Sequence, residues 1–209
     1  MIEVKALSMI FPQLKDWRFI LLLQSKKEPI GEMKGWNQDR ENKTFSSDSP
    51  KLLEHIMNKG NYGVVTGEDR LVLASDTVDV ENAISSRLPK TFSVRSPRHK
   101  TKHFYFYGEV KSNIQFKSTS AGDPCCDLKH GNAYVLGPDS EFENYGKYEV
   151  VDDLPIATIT QEQILSALDE LIKTISLDEI EPNNVHEQYI VVRRPSNRFR
   201  FLRSRLVLL

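Results

Sequence analysis

Short apolar runs separated by polar turns dominate the pattern of this chain. Residues 17–23 read WRFILLL, an almost unbroken apolar run that predicts a buried strand. Residues 103–107 read HFYFY and predict another, because aromatic side chains favour the pleated surface of a sheet. Further strands are predicted at residues 61–66, 71–76, 133–136, 148–151 and 187–193.

Helix signals are fewer. Ser49 followed by Pro50 suits a helix start, with Ser as the N-cap and Pro at the first helical position. Thr160 with Gln163 forms a capping box ahead of an apolar face. Helices are predicted over residues 50–58, 78–87 and 161–174. Strands and helices mix without a strict βαβ order, so we expect an α+β fold with a mostly antiparallel sheet and flanking helices.

Composition places the chain among ordinary globular proteins. Its 209 residues are 39% hydrophobic and 27% charged, which suits one large domain. No apolar run approaches the roughly 18 residues of a membrane span, and residues 1–15 lack the features of a secretory signal. Cys125 and Cys126 are adjacent, a spacing that rarely permits a disulfide. We therefore expect a cytoplasmic protein without a membrane partner.

Charge is distributed unevenly along the chain. The net charge is −1, yet the last 22 residues carry +6 and residues 1–187 carry −7. A basic tail on an acidic body predicts contact with a phosphate backbone; the alternative is a segment whose arginines pair with acids of the body. We expect a domain over residues 1–192 and an arginine-rich segment over 193–209. The candidate DNA-binding residues are Arg193, Arg194, Arg198, Arg200, Arg203 and Arg205.

Three segments occur in an informative order. Residues 61–84 read NYGVVTGEDRLVLASDTVDVENAI, residues 91–106 read TFSVRSPRHKTKHFYF, and residues 126–140 read CDLKHGNAYVLGPDS. Together they resemble the primase–polymerase (prim-pol) branch of the archaeo-eukaryotic primases. In that family a hydrophobic strand carries two acids one residue apart, a later strand carries a histidine, and a third segment joins an acid and a basic residue to a glycine-rich turn. The resemblance spans roughly residues 20–150.

The resemblance implies a prim-pol catalytic-domain fold and template-directed nucleotidyl transfer with two Mg²⁺ or Mn²⁺ ions. Two such ions clamp the attacking and leaving oxygens, and both are hard cations that favour carboxylate ligands. Matched position by position, Asp76 and Asp127 would bind metal and His103 would act with them. Nucleotide contacts are implied for Arg95, Thr101, Lys102, His103, Lys129 and Gly131, and Arg98 would add charge to the same pocket. Helices 50–58 and 161–174 would cover the back of the sheet.

One position departs from the family pattern. Where the family has its first acid this chain has Ala74, which cannot ligate a metal. Pairing Asp76 with Asp79 is no substitute, because residues three apart on a strand face opposite sides. Three explanations are open: a natural protein that binds nucleotide or DNA without polymerising, a variant inactivated for study, or compensation by Glu68 or Asp69 in the preceding turn.

The same residues also have purely structural interpretations. Asp76 could cap the following helix. His103 could be an ordinary core or surface histidine, and Asp127 with Lys129 could form an ion pair on a loop. Trp36 could be a platform for base stacking or a partly buried anchor.

A zinc site is a further alternative, built from His99, His103, Cys125, Cys126 and His130. Zinc favours nitrogen and sulfur ligands in a tetrahedral array. The spacing matches no standard finger, and we expect no zinc.

The expected function is therefore a DNA primase/polymerase-like domain in DNA replication. Its partners would be nucleoside triphosphates, a single-stranded DNA template and, as a further possibility, a replicative helicase. The first alternative is a non-catalytic nucleotide- or DNA-binding accessory module on the same fold, which Ala74 favours. A second alternative is a DNA-binding or interaction protein that depends on the basic tail.

Overall fold

The computed structural model describes residues 9–111, 113–120 and 122–173. Short 3₁₀ turns occupy Pro12–Leu14 and Gly31–Met33. The helices are α1 (Arg40–Lys43), α2 (Pro50–Met57), α3 (Val78–Arg87) and α4 (Gln161–Leu168). The predicted strand at 187–193, the boundary at 193 and the arginine-rich segment lie outside the described residues.

Thirteen strands are present in the described ranges, most of them short. They are β1 (Arg18–Leu22), β2 (Asn61–Val65), β3 (Arg70–Ser75), β4 (Ser93–Arg95), β5 (Lys102–Tyr107), β6 (Ile114–Ser118), β7 (Pro124–Lys129), β8 (Tyr134–Leu136), β9 (Glu141–Phe142), β10 (Gly146–Lys147), β11 (Glu149–Asp152), β12 (Ala157–Thr158) and β13 (Ile172–Lys173).

The strands form two main sheets and one small hairpin. The larger sheet has the order β11-β4-β5-β3-β7-β6-β13, with β12 beside β5, and the smaller has the order β1-β2-β8. The remaining pair, β9 with β10, makes the hairpin. Every pairing is antiparallel except that of β12 with β5. The predicted α+β class with a mostly antiparallel sheet is confirmed.

Two cores lie on opposite faces of the larger sheet. Between the sheets, Trp17 and Phe19 from the β1 side meet Val72 and Tyr105 of the larger sheet. On the other face a second core fills the space beneath α3 and α4; its members include Leu71, Leu73, Phe104, Phe106, Leu128 and Ile164. Side chains alternate along a strand, so each central strand supplies both cores.

The helices are arranged differently from the sequence-based prediction. Helix α4 does begin at the predicted capping box, with Thr160 accepting from the Gln163 N–H, but it ends at Leu168 rather than 174. Residues Ile172–Lys173 instead pair with β6, where Ile172 lies opposite Ser118 and is buried. Pairing with this strand and burial of Ile172 outweigh the helical periodicity. Helix α2 packs on β1 and β2, so it covers the smaller sheet and not the back of the larger one.

Two smaller observations complete the fold. Within the described residues, no helix has both the length and the apolar character needed to cross a membrane. Cys125 and Cys126 are buried free thiols on β7.

Candidate nucleotide site between the two sheets

A row of three residues crosses the centre of the larger sheet. Ala74 on β3 is paired with His103 on β5 and with Asp127 on β7. Directly paired residues in antiparallel strands project from the same face. That face also carries Val72 and Tyr105, which pack towards the smaller sheet. The row therefore faces the smaller sheet at the margin of the core between the sheets, and the partly exposed region around Asp76, Asp127 and Lys129 is called here the cleft.

Asp76 lies just beyond the end of β3, at the edge of this row. Its backbone N–H donates to the Cys125 carbonyl at 2.9 Å, and its Oδ1 lies 3.9 Å from Nε2 of His99. Burial and the nearby charge of Asp127 raise the pKa of Asp76. The helix cap is Thr77, whose side chain accepts from the Val80 N–H, so the capping interpretation of Asp76 is wrong.

Asp127 has a partner on each carboxylate oxygen. Its Oδ2 lies 2.8 Å from Nζ of Lys129, and its Oδ1 accepts from Nε2 of Gln115 at 3.2 Å. Lys129 is two residues further along β7, so it shares the cleft face with Asp127. The ion pair foreseen as a structural alternative is real, but it stands on a strand in the cleft rather than on a loop.

His103 is half-buried and lies beside Tyr148, with the ring centroids 5.5 Å apart. Burial, followed by the charge of Lys27, lowers the pKa of His103 to about 3. The ring is therefore neutral at physiological pH and has one N–H donor and one acceptor nitrogen. Its Nδ1 is buried with no hydrogen-bond partner among the described residues.

The rim of the cleft comes from three loops, of which sequence reasoning identified only the one that carries Arg98. Lys27, from the loop after β1, places Nζ 4.6 Å from the ring centroid of Phe142. Phe142 stacks on Tyr145 with ring centroids 5.6 Å apart, and the Arg98 guanidinium lies 5.9 Å from the Tyr145 ring. Tyr145 is 47% exposed. The result is a pair of stacked aromatic rings with a cation at each end, and the charge of one of these cations, Lys27, acts on His103.

The glycine-rich turn after Lys129 is fixed by an arginine from α1. Gly131 has a φ of +60°, the left-handed region that favours glycine, and a Cβ at this position would meet no other atom within 4 Å. Arg40 donates from Nη1 to the Gly131 carbonyl at 3.1 Å and from Nη2 to the Thr66 carbonyl at 3.0 Å. The turn is therefore tied to the end of β2.

Comparison with known protein families identifies the family of this chain. The family described as the N-terminal domain of bifunctional DNA primase/polymerases matches residues 13–162. The chain belongs to this prim-pol family. No curated protein matches it. Membership makes it a primase/polymerase-like domain, and the matched range includes Asp76, His103 and Asp127.

Not every residue implied by the prim-pol resemblance reaches the cleft. Arg95 and Lys102 lie on the opposite face of the sheet, where Arg95 is 4.0 Å from Glu81 and Lys102 is 2.9 Å from Asp152. Each is next to a cleft-facing residue, and neighbours on a strand alternate. The structure does not bring these two cations to the site.

Thr101 is buried and its hydroxyl is already engaged. Its Oγ1 donates to the Ser75 carbonyl at 2.5 Å, and the Ser75 hydroxyl donates to the Lys102 carbonyl at 2.8 Å. These bonds hold the end of β3 against the start of β5. Thr101 therefore positions the strand end that presents Asp76 and does not itself face a ligand.

Three further alternatives are not supported by the geometry. Glu68 and Asp69 lie at the other end of β3, paired with Arg70 at 3.1 and 2.9 Å, so they do not replace the acid missing at Ala74. His130 bonds to the Glu68 carbonyl at 2.7 Å, away from the other zinc candidates. Trp36 is buried and packs edge-on against Tyr134, as an anchor rather than a stacking platform.

Two open pockets of about 570 and 600 Å³ lie elsewhere. They share Asp69 and Glu109, and the first also includes Glu68, Arg70 and Val110. Neither contains a residue of the central row. Their carboxylates would repel a polyphosphate, which makes the cationic cleft the better candidate site.

The residues of the cleft fit one hard cation but not a two-ion centre. Asp76 and Asp127 are close enough for one charge to raise the pKa of the other group, so a cation would be stabilised there. Proteins hold Mg²⁺ through one or two carboxylates plus substrate phosphates. Ala74 offers no ligand, and Asp127 already contacts Lys129 and Gln115. In the described parts of the chain, no three His, Cys, Asp or Glu side chains are grouped to hold a metal.

Proposed function

We propose that this prim-pol domain binds a nucleoside triphosphate in the cleft and single-stranded DNA at its rim, as a nucleotide-binding component of DNA replication. The observation that carries the proposal is the row of His103, Ala74 and Asp127, with Lys129 beside it. It combines a neutral hydrogen-bonding imidazole with a lysine on one accessible face. The missing first acid leaves binding better supported than turnover.

Each cleft residue has a distinct role in this proposal. Lys129 has three N–H donors, so its contact with Asp127 leaves donors for a phosphate oxygen. His103 donates its single N–H to a second phosphate oxygen. Gly131 lets the backbone approach the ligand, because the space around it is open. Arg40 acts indirectly, by holding the Gly131 turn in place.

The aromatic and cationic side chains at the rim of the cleft are suited to binding nucleobases. Tyr145 presents an exposed ring, with Arg98 near one side and Phe142 stacked on it. Stacking on aromatic side chains is the sequence-tolerant way in which proteins hold single strands. We propose that a template base stacks on Tyr145 while the arginines of residues 193–209 contact the backbone.

A second candidate function is slow template-directed nucleotidyl transfer. It is favoured by the retention of two carboxylates, Asp76 and Asp127, at the edge of the row. A divalent cation bound there would offset the charge that develops on the triphosphate. Asp76 and Asp127 would hold that ion. Lys129 and His103 would hold the triphosphate.

A titration with a fluorescent nucleoside triphosphate tests the first proposal. Lys129→Met is expected to weaken binding about tenfold or more, since a phosphate contact is lost. Lys102→Met is the matched control, because it removes a lysine from the opposite face of the same sheet. Equal loss in both variants, or no binding by the parent at millimolar nucleotide, would contradict a cleft site.

A primer-extension assay of the Ala74→Asp variant distinguishes the two candidate functions, nucleotide binding alone and nucleotidyl transfer. The change restores a carboxylate between His103 and Asp127. Gain of template-directed extension with Mg²⁺ or Mn²⁺ would support a catalytic centre short of one ligand. Unchanged extension in a variant that still binds nucleotide would support the binding module.

Removal of residues 188–209 tests the proposed binding of single-stranded DNA. We expect weaker binding of single-stranded DNA and a smaller salt dependence, because six arginines are removed. Nucleotide binding in the cleft should persist. Loss of both activities in a folded, truncated protein would contradict the separation of the two sites.

A cytoplasmic location is also proposed. The two thiols are free and buried, which suits a reducing compartment. Imaging of a tagged chain with compartment markers would test this, and enrichment in an oxidising compartment would contradict it.

A further inference from the structure

Lys27 is presented by a loop that is fastened to the smaller sheet. The Leu23 N–H donates to the Glu28 carbonyl at 2.8 Å and closes the loop. The Tyr134 hydroxyl donates to the carbonyl of Lys27 itself at 2.6 Å, and Asn61 donates to the Lys26 carbonyl at 3.1 Å. These bonds fix the backbone of Lys27 opposite the row on the larger sheet.

The Lys27 side chain is exposed, and from this fixed backbone it lies near enough to the cleft for its charge to interact with Asp76 and Asp127. Its Nζ stands 4.6 Å from the Phe142 ring centroid, in cation–π range. Its charge acts on His103 and on both carboxylates of the site. Partial desolvation and the charge of Arg98 lower the pKa of Lys27, whereas Asp76 and Asp127 act in the opposite direction. Lys27 therefore belongs to the electrostatics of the cleft although it is distant from the row in sequence.

Cations outnumber carboxylates in the cleft. Three cations, Lys27, Lys129 and Arg98, share the space with two carboxylates. A carboxylate-rich centre repels a triphosphate until divalent ions bind, because like charges repel strongly in a partly desolvated space. Here alanine occupies the central position of the row, so that barrier is reduced. An anionic ligand meets an excess of positive charge before any metal ion arrives.

We infer that the cleft binds the polyphosphate group of a nucleotide without a divalent cation, and that Lys27 supplies positive charge that a metal ion would otherwise provide. This inference rests on the proposed nucleotide-binding function and deepens it. Lysine suits the role because its ammonium is a compact charge with three donors. Lys27 and Lys129 would hold the phosphates from opposite sides of the cleft, with Lys27 on the loop and Lys129 on β7.

The test is calorimetric titration of the full chain with ATP and with inorganic tripolyphosphate. Each titration is run once in excess EDTA and once in excess Mg²⁺. We expect binding of both ligands in EDTA, with an affinity within about threefold of that in Mg²⁺, a difference below 1 kcal/mol. Tripolyphosphate separates the phosphate contribution from that of the base.

Variants at two adjacent lysines assign the effect to Lys27. In EDTA, Lys27→Met is expected to weaken binding of both ligands about tenfold or more, and Lys27→Arg to retain most of the affinity. Lys26→Met is the matched control, because both lysines are exposed and only Lys27 lies over the Phe142 ring. Thermal unfolding of each variant checks that the fold is kept.

The outcomes separate this inference from the function on which it rests. Binding by the parent only in Mg²⁺, or equal affinities for Lys27→Met and Lys26→Met, would overturn the inference and leave a nucleotide site in place. Absence of binding under both conditions would overturn the proposed function together with the inference.

Discussion

The two faces of the larger sheet are built from the same strands but do different work. Towards α3 and α4, the central strands place Leu73, Phe104 and Leu128 in an apolar core. Towards the cleft, the adjacent residues are Ala74, His103 and Asp127. If the cleft binds nucleotide as proposed, residues for stability and residues for binding alternate along each strand, and substitutions one position apart should separate the two properties.

The largest expected effect lies on the helix-covered face. Phe106 is fully buried in the core beneath α3 and α4. Phe106→Ala should lower the free energy of unfolding by about 3–5 kcal/mol, because it removes a large apolar side chain and leaves a cavity. Urea denaturation measures the loss. Nucleotide affinity of the folded fraction should be unchanged; a large fall in affinity would argue that the two faces are not separable.

Metal-dependent stability should appear when a third acid is placed on the cleft face. In Ala74→Asp, a new carboxylate joins Asp76 and Asp127, so the variant should be less stable than the parent in EDTA. Mn²⁺ should restore stability, by about 2.7 kcal/mol at one hundred times the dissociation constant. Ala74→Asn, which adds similar bulk without charge, is the control. Equal effects of Mn²⁺ on both variants would contradict the expected ligand set.

Acid should destabilise the cleft face through His103. Its pKa is lowered to about 3 in the folded protein, so the unfolded chain takes up the proton first. The contribution of His103 to the free energy of unfolding is fully present above the ordinary histidine pKa of about 6.5, and it is lost as pH falls towards 3. His103→Gln should remove that part of the pH dependence, measured as unfolding free energies at pH 7, 5 and 4. Parallel profiles for both proteins would contradict a buried neutral imidazole.

The smallest effect is expected at Asp76. Its raised pKa means that the folded protein holds the proton more tightly, so ionisation costs stability as pH rises through the folded pKa. Asp76→Asn should therefore be slightly more stable than the parent at pH 7. The difference should vanish below the ordinary carboxyl range, near pH 3.8. Lower stability of the variant at pH 7 would show that the carboxylate is favourably paired.

Much of the fold was predictable where local signals agree with burial. The apolar strand near residue 20 and the helix at 78–87 both formed close to their predicted positions. Strands β4, β6 and β7 were missed because they are short or mix polar with apolar residues. The end of α4 was missed because the pairing of residues 172–173 with β6 is a tertiary interaction, which the local hydrophobic periodicity does not predict.

The candidate site was predictable only in part. Ordered motifs identified Asp76, His103 and Asp127, which the structure brings towards one cleft. Lys102 was expected to contact the nucleotide, but it projects from the opposite face, and the side on which a residue projects depends on strand register. Lys27 was missed because its charge acts on the row from a loop of the other sheet, and no local sequence pattern encodes such a long-range interaction.

Hydrogen–deuterium exchange with and without a nucleoside triphosphate tests most directly where the ligand binds. We expect slower exchange in residues 24–28, 98–103 and 127–131, which contain Lys27, Arg98 and Lys129 and enclose the cleft. Protection should be weaker in Lys129→Met and unchanged in Lys102→Met. Protection confined to the acidic pocket around Glu68 and Glu109, or none in any of these segments under saturating ligand, would contradict a nucleotide site between the sheets.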